Sequence, residues 1–97
     1  MAKVELAGRN SMAVSQISRI LDRVDTIGFG IEVGEAADDD VTEQASLLVT
    51  LKAWKVYKFA LGKVTAQAIW YQAPIWPPEP PTPEIIATPV FSAIETN

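Results

Sequence analysis

The chain contains no cysteine and no histidine. Without thiols there is neither a disulfide framework nor a thiolate metal site, which fits a protein made and used in a reducing cytoplasm. Without imidazole the usual pairings of nucleophile and base are missing, and only hydroxyls, lysines and carboxylates remain. No catalytic residue and no cofactor are expected. Basic charge is scarce as well: eight Lys and Arg face twelve Asp and Glu, for a net charge of −4, which argues against a nucleic-acid backbone as the main ligand. Long apolar runs are also lacking. The longest, Ala45 to Leu51, already includes Ser46 and Thr50 and stops at Lys52, far short of the roughly 20 residues that cross a bilayer. Met1 to Gly8 carries Lys3 and Glu5 and does not read as a secretory leader. A soluble protein with no membrane partner is expected.

What is present is room for one small domain, 97 residues with 48% hydrophobic content and seven prolines. That content excludes wholesale disorder, while the prolines confine globular order to part of the chain. From Ser11 to Ile27 the apolar residues Ala13, Ile17, Ile20, Leu21, Val24 and Ile27 recur at three- and four-residue steps, predicting an amphipathic helix. Gly28, Gly30 and Gly34 are expected to end it near Ile27 and to form a flexible loop. A second helix is predicted to start where Asp40 caps backbone donors and Glu43 reaches back three residues on. Its periodic face is Leu47, Leu51, Trp54 and Leu61, and Val49, Ala53, Val56 and Ala60 widen it, as in a helix covered on two sides. Lys52, Lys55, Lys58 and Lys63 suit its C-terminal half, and Gly62 offers a left-handed cap near Leu61.

Beyond Val64 the composition changes. Ala66 to Tyr71 reads as a short strand or extended segment, six of the ten residues Pro74 to Pro83 are proline, and Ile85 to Ile94 is apolar and β-branched around Pro89. The fold class is therefore mainly α: an antiparallel helical hairpin over residues 1–64, then an extended, proline-rich arm over residues 65–97 with room for a short strand. Burying about a dozen large apolar side chains contributes roughly 25 kcal/mol, and some thirty helix hydrogen bonds roughly 30. Ordering about 38 residues costs roughly 57 kcal/mol. The near-zero balance predicts that another copy or a different protein completes the fold.

Few residues invite a chemical role. Asp38, Asp39, Asp40 and Glu43 lack the alternating ligands and central glycine of a calcium loop, so capping and solvation explain them better and no metal site is expected. Gly28, Gly30 and Gly34 have the wrong spacing, and the wrong preceding element, for a dinucleotide fingerprint. The lysines fit a solvated helix face. Pro77, Pro80 and Pro83 would suit an aromatic-lined groove, but Glu79 and Glu84 stand where a basic flank would, and a rigid spacer is at least as good a reading. Trp54, Tyr57, Trp70, Tyr71 and Trp76 carry more information. They either finish a small core or anchor a partner, since tryptophan and tyrosine are enriched at binding hot spots.

Those residues also carry a resemblance. TLKAWKVYKFALGKV followed by WYQAPIWPPEPP resembles the C-terminal region of tailed-phage tail-fibre assembly proteins. There an acidic, threonine-containing stretch leads into a helix with a Trp-Lys-x-Tyr-basic core, an apolar and basic turn, and a Trp-Pro segment. The matching positions here are Asp38 to Glu43, then Trp54, Lys55, Tyr57 and Lys58, then Leu61, Lys63 and Val64, then Trp76 and Pro77. Arg9 to Asp25 is similar to that family's first hairpin helix, and the likeness covers roughly residues 9 to 80. It implies a non-enzymatic chaperone in the host cytoplasm that binds the distal region of a phage tail-fibre protein during folding or trimerisation. Trp54, Tyr57, Lys58, Trp70, Tyr71, Trp76 and Pro77 are the expected partner-binding residues, with Ile85, Ile86 and Phe91 in a segment suited to strand addition. A permanent virion component, such as a fibre cap or connector, is the alternative. An adaptor presenting proline motifs ranks behind both.

Overall fold

A computed structural model describes residues 1–85. Two antiparallel helices form the hairpin, α1 over Ala2–Glu32 and α2 over Asp38–Leu61, followed by a short 3-10 helix at Val64–Ala66. Among the described residues there is no strand, so Ala66 to Tyr71, expected to be extended, instead continues from the 3-10 turn into further turns. Ala66 and Gln67 each donate a backbone bond three residues back, and Ala73 bonds to Ile69. With no neighbouring edge to pair with, a short apolar stretch satisfies its backbone locally.

Both ends of α1 differ from expectation. It begins nine residues before Ser11, because Leu6 extends the apolar stripe by one heptad ahead of Ala13, Ile20 and Ile27 and packs against the same core. It also runs through Gly28 and Gly30, which are helical rather than a loop. A glycine inside a helix costs about 1 kcal/mol relative to alanine, which is less than abandoning the hydrogen bonds of a turn already anchored by buried Ile27. Termination waits for Gly34, whose φ is +77°. There the Gly34 N–H bonds to Ile31 O at 3.2 Å and the Glu35 N–H to Gly30 O at 2.8 Å, the paired bonds of a Schellman ending.

The start of α2 is shifted by one turn from the expected cap. Ala37, not Asp40, is the cap residue, and the Asp40 carboxylate reaches back to accept the Ala37 N–H at 2.9 Å. Asp38, Asp39 and Asp40 place negative charge on the positive end of the helix. Glu43 is thereby released from capping and crosses to α1. At the other end α2 stops at Leu61 as expected, but Gly62 is right-handed, with φ −67° and ψ −15°, and passes the chain into the 3-10 turn.

The core is one cluster between the helices: Ala13, Ile20, Val24 and Ile27 from α1 and Leu47, Leu51, Trp54, Tyr57 and Leu61 from α2. Ile85, from the far end of the described arm, joins it. Arg23 donates Nε and one terminal nitrogen to the two Glu43 oxygens at 2.8 and 2.9 Å, and Gln44 donates to Val24 O at 3.2 Å. Near the open end Lys58 donates to the Asn10 side chain at 3.0 Å. These contacts set the level of α1 against α2 along the hairpin.

The expectation that α2 is covered on two sides holds only in part. Its core edge meets α1 and the arm, while Val49, Val56 and Phe59 stand 73%, 60% and 72% exposed. No helix among the described residues is long and apolar enough to cross a membrane.

Candidate protein-binding surface

Trp54 is the centre of what lies beneath the arm. Four residues after Leu51 would overshoot the apolar edge of α2 and three land on it, so the indole points inward and is fully buried. Tyr57, three further on, packs edge-on against it, with ring centroids 5.5 Å apart and planes at 87°. A buried indole N–H needs an acceptor, and Pro81 O supplies one at 3.2 Å. Polyproline backbone forms no internal hydrogen bonds, so its carbonyls are free for such use.

Among the described residues, three fasteners tie the arm down. The Arg9 guanidinium lies 4.6 Å from the Trp76 ring centroid, Trp54 takes Pro81, and Arg19 donates to Pro83 O at 2.7 Å. Ascending numbers on the arm meet ascending numbers on α1, so the arm runs parallel to α1. Arg9 also donates to the Tyr57 hydroxyl at 3.4 Å and to Glu5 at 2.8 and 2.9 Å. The Tyr57 hydrogen bond and then that to Glu5 hold its pKa above the ordinary arginine value. Arg23 is likewise raised by Glu43, and the same hydrogen bond holds the Glu43 carboxyl below its ordinary value against the opposing effect of burial.

The expected partner-binding residues divide into three groups. Trp54 and Tyr57 lie in the chain's own core, where Pro81 O of the arm accepts the Trp54 indole N–H and Arg9 of α1 donates to the Tyr57 hydroxyl. Lys58, Trp70, Trp76 and Pro77 are half-buried, with Lys58 tied to Asn10 and Trp76 stacked under Arg9. Tyr71 is 60% exposed, beside Ile69 at 53% and Ile75 at 76%. Ile85 is buried in the core rather than offered as a strand, and Ile86 and Phe91 lie outside the described residues.

The exposed turn has a built support. The Gln67 amide donates to Ile75 O at 2.8 Å and accepts the Ile75 N–H at 2.8 Å, closing the loop that carries Ile69, Tyr71 and Ile75. A side chain that mimics a backbone pairing closes the backbone of the loop, and the three apolar groups it carries are exposed. Neither Gln67, Arg9 nor Arg19 is among the residues singled out in the sequence. A signal for the two arginines does exist: Arg9, Met12, Gln16, Arg19 and Arg23 follow three- and four-residue steps, a polar stripe beside the apolar one.

Among the described residues no group of three or more Asp or Glu side chains is placed to hold an ion, and the carboxylates of Asp40 and Glu43 are engaged by Ala37 and Arg23. Compared with known protein families, curated proteins and solved structures, the chain matches none.

Proposed function

We propose that this chain is a non-enzymatic protein-binding module and, in finer form, a tail-fibre assembly chaperone similar to those of tailed phages, acting in the host cytoplasm on the distal region of a fibre protein. The observation that carries the reading is the Gln67-supported turn. It closes one short loop that exposes Ile69, Tyr71 and Ile75, a grouping of apolar side chains that suits contact with another molecule. Trp70, Trp76 and Pro77, nearby in the chain, are half-buried. A fibre segment awaiting trimerisation exposes apolar surface that such a turn would shield.

The test is co-purification with a co-expressed fibre protein. Trp54 is a poor probe, because truncating a buried tryptophan costs about 3–5 kcal/mol and reports on folding. Ile69, Tyr71 and Ile75 are exposed, so changing each to serine leaves the hairpin intact within about 0.5 kcal/mol per site. The triple variant is expected to retain its helix content and to lose co-purification by about tenfold or more, as removal of an anchor worth about 1.4 kcal/mol does. Undiminished recovery of the fibre would reject the surface. Near-stoichiometric copies of the chain in purified particles would replace the transient chaperone with the permanent virion component.

A further inference from the structure

The described part of the arm, residues 65–85, covers one face of the hairpin, and among the described residues nothing covers the opposite face. At 100° per residue, Val14 and Leu21 lie on one stripe of α1 two turns apart, and Val41, Leu48 and Phe59 share a stripe on the matching side of α2. All five are between 37% and 72% exposed. Ile17, Lys55, Phe59 and Lys63 line a shallow cleft of about 520 Å³ on this face, and among the described residues none of the arm lines it. The hairpin is also polarised from end to end. Between Asp22 and Glu43, at the loop end, eight carboxylates stand against the single Arg23, whereas residues 44–66 contain four lysines and no carboxylate.

We infer that a second copy of this chain covers this face, with the two hairpins packed antiparallel into a four-helix bundle. The charge distribution selects the occupant. A two-fold axis crossing the helices near Ile17 reverses one copy end for end and sets its lysine-rich open end against the acidic loop end of the other. A parallel arrangement would stack like charges. With that axis, Val14 of one copy lies level with Leu21 of the other, and Phe59 with Val41. Lys3 lies level with Glu32, and Lys63 faces the acidic start of α2. Val14, Leu21 and Leu48 thus lie near the axis, Phe59 and Val41 toward either end of α2, and the opposite charges at the ends beyond them, the self-complementarity an isologous interface requires. Attraction between the ends supplies the orientation, and burial of the central side chains supplies the affinity.

Sedimentation of the full chain tests this. A dimer is expected at about 10 µM in low salt, weakening as ionic strength rises from about 50 to about 500 mM and screening shortens the reach of the end charges. Leu21→Glu with Phe59→Glu should weaken dimerisation by more than about tenfold with helix content unchanged, since neither side chain belongs to the core of one copy. Charge reversal gives the sharper reading. A chain with Lys3→Glu and Lys63→Glu repels its own copies, as does one with Glu32→Lys and Asp38→Lys, but an equal mixture of the two restores the dimer. A full chain that stays monomeric at about 100 µM, whatever then covers the face, overturns the inference. So does a dimer indifferent to the Leu21 and Phe59 changes, or a mixture that fails to rescue.

Discussion

At the scale of single residues, Arg23 and Glu43 do in one contact what the sequence divides between two. The acidic start of α2 calls for a cap, and Asp40 with Glu43 has the spacing for one, yet Asp40 caps from the third helical position and Glu43 pairs with Arg23 across the hairpin. Because the Arg23 hydrogen bond lowers the Glu43 pKa, the carboxylate binds its proton less readily folded than unfolded. The pair therefore contributes fully above the ordinary glutamate pKa of about 4.3, and the contribution fades as pH falls through the lower folded value. Glu43 keeps about a third of its exposure, so screening limits the contribution to about 1 kcal/mol. Glu43→Gln is expected to lower stability at neutral pH by that amount and to flatten the acid limb of a plot of stability against pH. Chemical denaturation between about pH 3 and pH 7 measures this, and an acid limb of unchanged slope would remove Glu43 from the account.

At the scale of elements, the helical hairpin was legible because burial repeats at three- and four-residue steps, and Ile20, Leu47, Leu51, Trp54 and Leu61 all face inward as that period dictates. The ends were less legible. Three glycines within seven residues look like one break, but only the conformation distinguishes Gly34 at positive φ from Gly28 and Gly30 in the helix. Substitution by alanine separates these roles. A Cβ at Gly8 or at Gly34 meets nothing within 4 Å, so space does not discriminate between them and backbone conformation alone does. Gly8→Ala is expected to stabilise by about 0.5–1 kcal/mol, and Gly34→Ala to destabilise by about 1–2 kcal/mol. Thermal melting of both variants checks the pair, and equal shifts in one direction would contradict the assigned ends of α1. The candidate site was less legible than the helices: Tyr71 and Trp76 were singled out by residue type alone, and Gln67, which closes the turn, carries no pattern in the chain.

At the scale of the whole molecule, the arm turns an open hairpin into a closed one. Its prolines restrict the unfolded chain and so reduce the entropy lost on docking, and their carbonyls satisfy the Trp54 indole and the Arg19 guanidinium. Ile85 then adds apolar area to the core. Docking so built has few independent attachment points, so loosening one should release the arm without unfolding the helices. Arg19→Ala removes a hydrogen bond from a charged donor, a loss of about 1.5 kcal/mol, and corresponds to about a tenfold larger population of the released arm. The Trp54 indole N–H reports that population directly, because Pro81 O is its acceptor. Its hydrogen exchange is expected to quicken about tenfold in Arg19→Ala, while the backbone amides of Ile20 and Leu51 in the helix centres keep their protection. If indole and helix amides accelerate together, arm and hairpin form one cooperative unit, and a partner could reach Trp54 only by unfolding the chain.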